Sequence, residues 1–139
     1  MKRRIIVHSL DQARAALRAA AELGVGVTLA SAAGAGAYAG PLWFKALIDA
    51  ARQAYPEVDL DALLDCAEEA GSALAALRAG IARVGFNGPA ETRERLAAIA
   101  AALGAAIESE PVGEALDLLD ARDPLAAARA FLAGGETAR

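Results

Sequence analysis

The sequence predicts an α/β fold of parallel βα repeats. Three observations carry it. Short β-branched or aliphatic runs recur along the chain; each is followed by apolar residues at helical spacing; and glycine or proline marks the joints. The strand runs are apolar without alternation, which suits a parallel sheet covered on both faces.

Residues 4–8 (RIIVH) read as the first strand. Ser9 or Asp11 can cap the helix that follows over 13–23, where Ala16, Leu17, Ala20 and Leu23 share a face. Gly24 supplies the stop. Residues 25–30 (VGVTLA) are the second strand, and the glycine-rich stretch 31–40 connects it onward. Pro41 suits a first helical turn, and Trp43, Phe44, Leu47, Ile48 and Ala51 form an apolar face running to Tyr55. Pro56 closes that helix. The segment 58–66 holds the third strand, centred on 62–66 (ALLDC), with a helix over 72–79 stopped by Gly80. Residues 81–86 (IARVGF) are the fourth strand, followed by the turn Asn87-Gly88-Pro89 and a helix over 90–103. Residues 105–109 (AAIES) are the fifth. Residues 115–119 read as one or two helical turns, and Asp123-Pro124 opens a last helix over 125–132.

Loops after parallel strands gather at one edge of the sheet, where ligands bind. That edge collects His8, residues 31–36, Asp65, Cys66, Asn87, Gly88, Glu108 and Glu110. Gly34 and Gly36 either let backbone amides approach a ligand phosphate or make a tight crossover. The order G-A-G-A-Y-A-G is not in register with a dinucleotide fingerprint, and no P-loop lysine follows. Asp65 can serve as an acid or base, or hold a backbone amide. Cys66 can bind a soft metal as thiolate, or sit as a small buried hydrophobe. Glu108 and Glu110 alternate along a strand and so share a face. His8 is the single histidine.

Composition narrows the function. The chain has 139 residues, suiting one domain over 1–139; 56% are hydrophobic, 23% charged and only 4% aromatic. Forty are alanine, so the core is built from small side chains. A net charge of −4 argues against a nucleic-acid binder, which needs a basic face. One cysteine excludes an intrachain disulfide and suits a reducing, cytoplasmic setting. No apolar stretch is long enough to span a membrane, and the run after MKRR is too short for a signal peptide.

The order of residues resembles the class II, metal-dependent ketose-bisphosphate aldolases. The family's N-L-E-Q-like helix start is similar to Ser9-Leu10-Asp11-Gln12, and its loop ending Y-A-G to Tyr38-Ala39-Gly40. A helix ending in Tyr-Pro recurs at Tyr55-Pro56. The family's L-D-H-G strand end resembles Leu64-Asp65-Cys66-Ala67, and its turn D-G-S resembles Asn87-Gly88-Pro89. Its V-E-x-E-L-G is similar to Ile107-Glu108-Ser109-Glu110-Pro111, and its T-D-P helix to Asp123-Pro124 through Phe131.

The resemblance implies part of a (β/α)8 barrel, about five strands long, ending after the fifth βα unit. Family members hold a divalent metal with three histidines and use an aspartate for proton transfer. That aspartate matches Asp65. The first metal histidine falls on Cys66, an acidic residue of the turn on Asn87, and the second glutamate on Glu110. The loop serine falls on Ala32, with Ser31 one place off, and the first-strand asparagine falls on Ile6. The other two histidines have no counterpart. The resemblance therefore implies a degenerate site, with Asp65 as the catalytic residue and Cys66, Asn87 and Glu110 as metal positions. Gly34, Gly36 and Gly88 are the glycines expected to approach a ligand. No cofactor is expected to be required, although Cys66 is a residue that zinc accepts. A partial sheet leaves bare edges, so the expected partners are a second copy of the chain, as a dimer, and a small molecule. The competing expectation is a zinc-dependent lyase for a phosphorylated sugar, assembled as a homo-oligomer.

Overall fold

The computed structural model describes residues 2–109 and 114–134. Among them six strands pair in the order β5-β4-β3-β2-β1-β6. They are β1 (Arg3–Ile6), β2 (Val27–Ala30), β3 (Leu60–Asp65), β4 (Arg83–Gly85), β5 (Ala106–Glu108) and β6 (Ala115–Asp117). The helices are α1 (Leu10–Leu23), the single turn α2 (Ala35–Tyr38), α3 (Pro41–Ala54), α4 (Ala70–Arg78), α5 (Ala90–Ala102) and α6 (Pro124–Leu132). The α/β class and the sequential order of the first five strands are as the sequence predicts.

Two compact units divide the described residues: 2–30, 47–61 and 114–134 form one, and 31–46 and 62–109 the other. In the first unit β1 lies between β2 and β6, parallel to both, with Arg4 in register with Thr28 on one side and Ala115 on the other. Ile5, Val27 and Leu29 alternate onto one face and are fully buried. Helix α1 covers its share of the core with Ala13, Ala16, Leu17 and Ala20, and it packs against α6. Alanine on the contact stripe lets two helices approach closely. Both helices start as their sequences dictate: Ser9 Oγ accepts from the Gln12 amide, and an Asp123 oxygen accepts from the Ala126 amide. Gly24 ends α1 at φ 66°, the left-handed turn that only glycine enters freely. The Arg3 guanidinium lies 3.9 Å over the Phe131 ring of α6.

In the second unit the last residues of β3 pair with β4, and β4 pairs with β5, all parallel. Leu64 and Val84 are in register on one face and fully buried. The row Asp65, Gly85, Glu108 lies in register at the strand ends. β5 is thinly covered: Ala106 is exposed, and Ile99 and Leu103 of the preceding helix are 39% and 56% exposed. Strand β3 belongs to both units. Val27 donates to the Asp59 carbonyl within the first, and Ser31 donates to the Leu63 carbonyl within the second.

Residues 115–119 depart from the reading as helical turns. Three of them form β6, so a sixth βα unit, β6–α6, follows the fifth. Ala and Leu favour a helix, but three residues gain little from propensity. Pairing decides the outcome: β1 offers a free edge, and the Leu118 amide donates to the Ile6 carbonyl at 3.0 Å. Trp43 also departs, being 38% exposed while Phe44, Leu47, Ile48 and Ala51 are buried. The glycine-rich connection contains the turn α2, and α4 starts two residues before its expected position.

Candidate functional site

Asp65 closes β3, and its carboxylate is engaged on one side. Its Oδ1 accepts from the Gly34 amide at 2.9 Å and from the Ala67 amide at 2.8 Å. Its own amide donates to Ser31 Oγ at 2.9 Å, and that hydroxyl donates to the Ala32 carbonyl. Asp65 thus fastens the loop 31–36 to the strand end. Gly34 adopts φ 73°, the left-handed region that favours glycine, and its amide is taken up by the carboxylate. Oδ2 faces Gly85, where a Cβ would lie 3.3 Å from it.

Cys66 follows in the buried layer, with no exposed surface. Its amide donates to the Gly85 carbonyl at 2.9 Å. Burial, and after it the charge of Asp65, pushes the thiol up to about 11. Gly36 lies directly against the sulfur: a Cβ there would overlap Sγ and stand 3.2 Å from the Asp65 carbonyl oxygen. The next residue, Ala67, has φ 51°, a conformation a side chain enters at a cost of about 1 kcal/mol. Its amide bond to Asp65 and the Asn87 amide on its carbonyl, at 2.8 Å, hold it there.

Asn87 is exposed, and Gly88 lies under the Phe86 ring, which a Cβ would strike. Glu108 forms an ion pair with Arg83. It stands two strands from Asp65 in the same row, about 9.6 Å by sheet spacing. Glu110 lies outside the described residues.

His8 belongs to a different group of residues, in the first unit. Its Nε2 is 2.6 Å from Asp117 Oδ1. Asp117 closes β6, and a strand not recognised in the sequence hides its terminal aspartate. One signal was available: Ala115-Leu116-Asp117 ends as Leu63-Leu64-Asp65 does, with Leu-Asp at a strand terminus.

The structure therefore brings Ser31, Gly34, Gly36, Asp65 and Cys66 together and sets His8 with Asp117. Among the described residues, no three His, Cys, Asp or Glu side chains gather to hold a metal ion. Of the positions that the resemblance assigns to the metal, Cys66 is fully buried against Gly36 and Asn87 is exposed on the next loop, a poor fit to one shared ion.

No family model matches the chain, and no curated protein matches it. Among solved structures it is similar to a protein from Coccidioides immitis, provisionally described as a fructose-1,6-biphosphate aldolase, with a TM-score of 0.64 and 21% identity. The match covers 76% of this chain and 44% of that one, so the chain spans less than half the length of its structural relative. The likeness is one of fold: parallel βα units matching part of an aldolase barrel. No helix among the described residues is long and apolar enough to cross a membrane.

Proposed function

We propose that this chain is a degenerate class II aldolase-like domain, without aldolase activity, that works as a binding or oligomerising module. The state of the Asp65–Cys66 pair carries the reading. These are the positions that the resemblance assigns to proton transfer and to the first metal ligand. One Asp65 oxygen is engaged by two backbone amides, and the Cys66 thiol is buried, made less acidic by that burial, and packed on glycine. A Lewis acid needs about three good protein ligands, and the Cys66 sulfur is enclosed in the buried layer. The aldolase-like fold supports the family reading, and the side chains support loss of its chemistry. The buried, unpaired thiol suits a reducing cytoplasm, and the charge of −4 argues against nucleic acid.

The test is cleavage of fructose 1,6-bisphosphate by the purified chain with and without added zinc. The expected rate equals that of buffer. A zinc-dependent rate abolished by Asp65→Asn would establish the competing lyase, as would stoichiometric zinc lost on Cys66→Ala.

Self-association is part of the proposal. Its support is the set of exposed apolar residues on the second unit's last helix and strand, Ile99, Leu103 and Ala106.

A further inference from the structure

We propose that β1–α1 is a docking surface for the β6–α6 segment of a second copy, so that two chains folding together exchange that segment. This contact goes beyond the apolar one described above and does not depend on it.

Surface and occupant are both visible within one chain. β6 runs parallel to β1 with Asp117 in register with Ile6. The Leu118 amide donates to the Ile6 carbonyl at 3.0 Å, and Gln12 Nε2 donates to the Leu118 carbonyl at 2.9 Å. His8 Nε2 meets Asp117 Oδ1 at 2.6 Å. Under these bonds α6 buries Ala128, Phe131 and Leu132. Charge is complementary across the contact. Arg129 of α6 makes two hydrogen bonds to Glu22 of α1, at 2.7 and 2.9 Å. The Arg3 guanidinium donates to the Phe131 carbonyl, at the negative end of the α6 dipole. Each of these bonds ends in β1, in α1 or in the turn between them.

The connection favours exchange. From β1 to β5 every crossover carries a helix: α1, then α2 with α3, then α4, then α5. From β5 to β6 the chain has residues 109–114 alone, although the two strands stand at opposite ends of the strand order. A crossover between parallel strands ordinarily takes about a dozen residues or more. The same short stretch leads from one compact unit into the other. Short links of this kind invite exchange, because β1–α1 of a second copy offers the same bonds without fixing where the link must reach.

The test places Leu103→Glu in every full-length chain, to remove the apolar contact. Chains with Glu22→Cys and chains with Arg129→Cys are unfolded in urea, mixed, refolded together and treated with a short bis-maleimide. Cys66 is buried and is expected to stay unreacted. A single chain with both substitutions, refolded dilute, should cross-link within itself, which shows that the reagent reaches across α1 and α6. In the mixture, exchange joins the two different chains covalently. Refolding at about 1 mM, comparable to the effective concentration of a short tether, is expected to give about a hundredfold more of this dimer than refolding at about 10 µM. Chains refolded separately and mixed afterwards should give none. No covalent dimer after joint refolding would overturn the proposal, as would an equal yield from chains mixed after refolding. Failure of the apolar contact reads differently, as a monomeric parent chain in light scattering.

Discussion

Gly36 shows how little freedom a residue has at the end of β3. Alanine there would drive its methyl into the Cys66 sulfur and crowd the Asp65 carbonyl, and a close-packed interior answers such overlap with strain. Gly36→Ala is expected to cost about 1–3 kcal/mol, read as a lower urea midpoint with an unchanged slope. Adding Cys66→Ala should return part of that loss, because the sulfur is removed while the carbonyl stays. The thiol also gives a pH signature. Its folded value is about 11 against an ordinary 9.0, so the folded chain keeps its proton while the unfolded chain has lost it. Stability contributed by the neutral thiol is complete below 9.0 and declines as pH rises toward about 11. Urea midpoints between those limits should fall in the parent chain and flatten in Cys66→Ala. The sequence carried the identity of these residues but left their roles open. Leu64-Asp65-Cys66 placed a carboxyl and a thiol at a strand end, and only the approach of Gly34 and Gly36 from another loop settled which atoms are taken up.

Among the elements, those with strong local signals were legible. Helix α1 has its serine cap, its alanine–leucine stripe and its glycine stop, and it forms over nearly the expected span. Strand β6 was not legible, since three residues of Ala, Leu and Asp show no period and take their state from the edge of β1, more than a hundred residues away in sequence. The α1–α6 contact likewise has no local signal. Its outer margin is the pair of hydrogen bonds from Arg129 to Glu22, at 2.7 and 2.9 Å. Those bonds to Arg129 hold the Glu22 carboxyl down at about 2, against an ordinary 4.5. A lowered carboxylate contributes stability that is present above 4.5 and is lost as pH falls toward about 2. Both side chains are well exposed and screened by salt, so the effect is small. Glu22→Gln should flatten that portion of the acid melting curve, matching the parent at the acid end and falling slightly below it at neutral pH, as thermal scans across the range would show.

For the whole molecule, the decisive feature is a parallel sheet that stops at short strands on both sides. β5 and β6 are three residues each, and β5 is backed by a helix that buries only Leu96 and Ala100. Short edges limit indiscriminate strand pairing. The apolar residues beside β5 still favour association, and light scattering at micromolar concentration is expected to give the mass of a dimer. A monomer under those conditions would remove self-association from the proposed function and leave small-molecule binding. Replacing Leu103, 56% exposed, by Glu should shift a dimer toward monomer without unfolding it.

Strand β1 carries a consequence for how the chain is made. Its partner on one side, β2, is only some twenty residues downstream, but its partner on the other is residues 115–117. During synthesis the first pairing can form early, while the opposite row of backbone groups on β1 waits until residues 115–117 have left the ribosome. A nascent chain of this sequence therefore carries an open template for foreign strands until β6 emerges, and chaperone demand should drop sharply at that point.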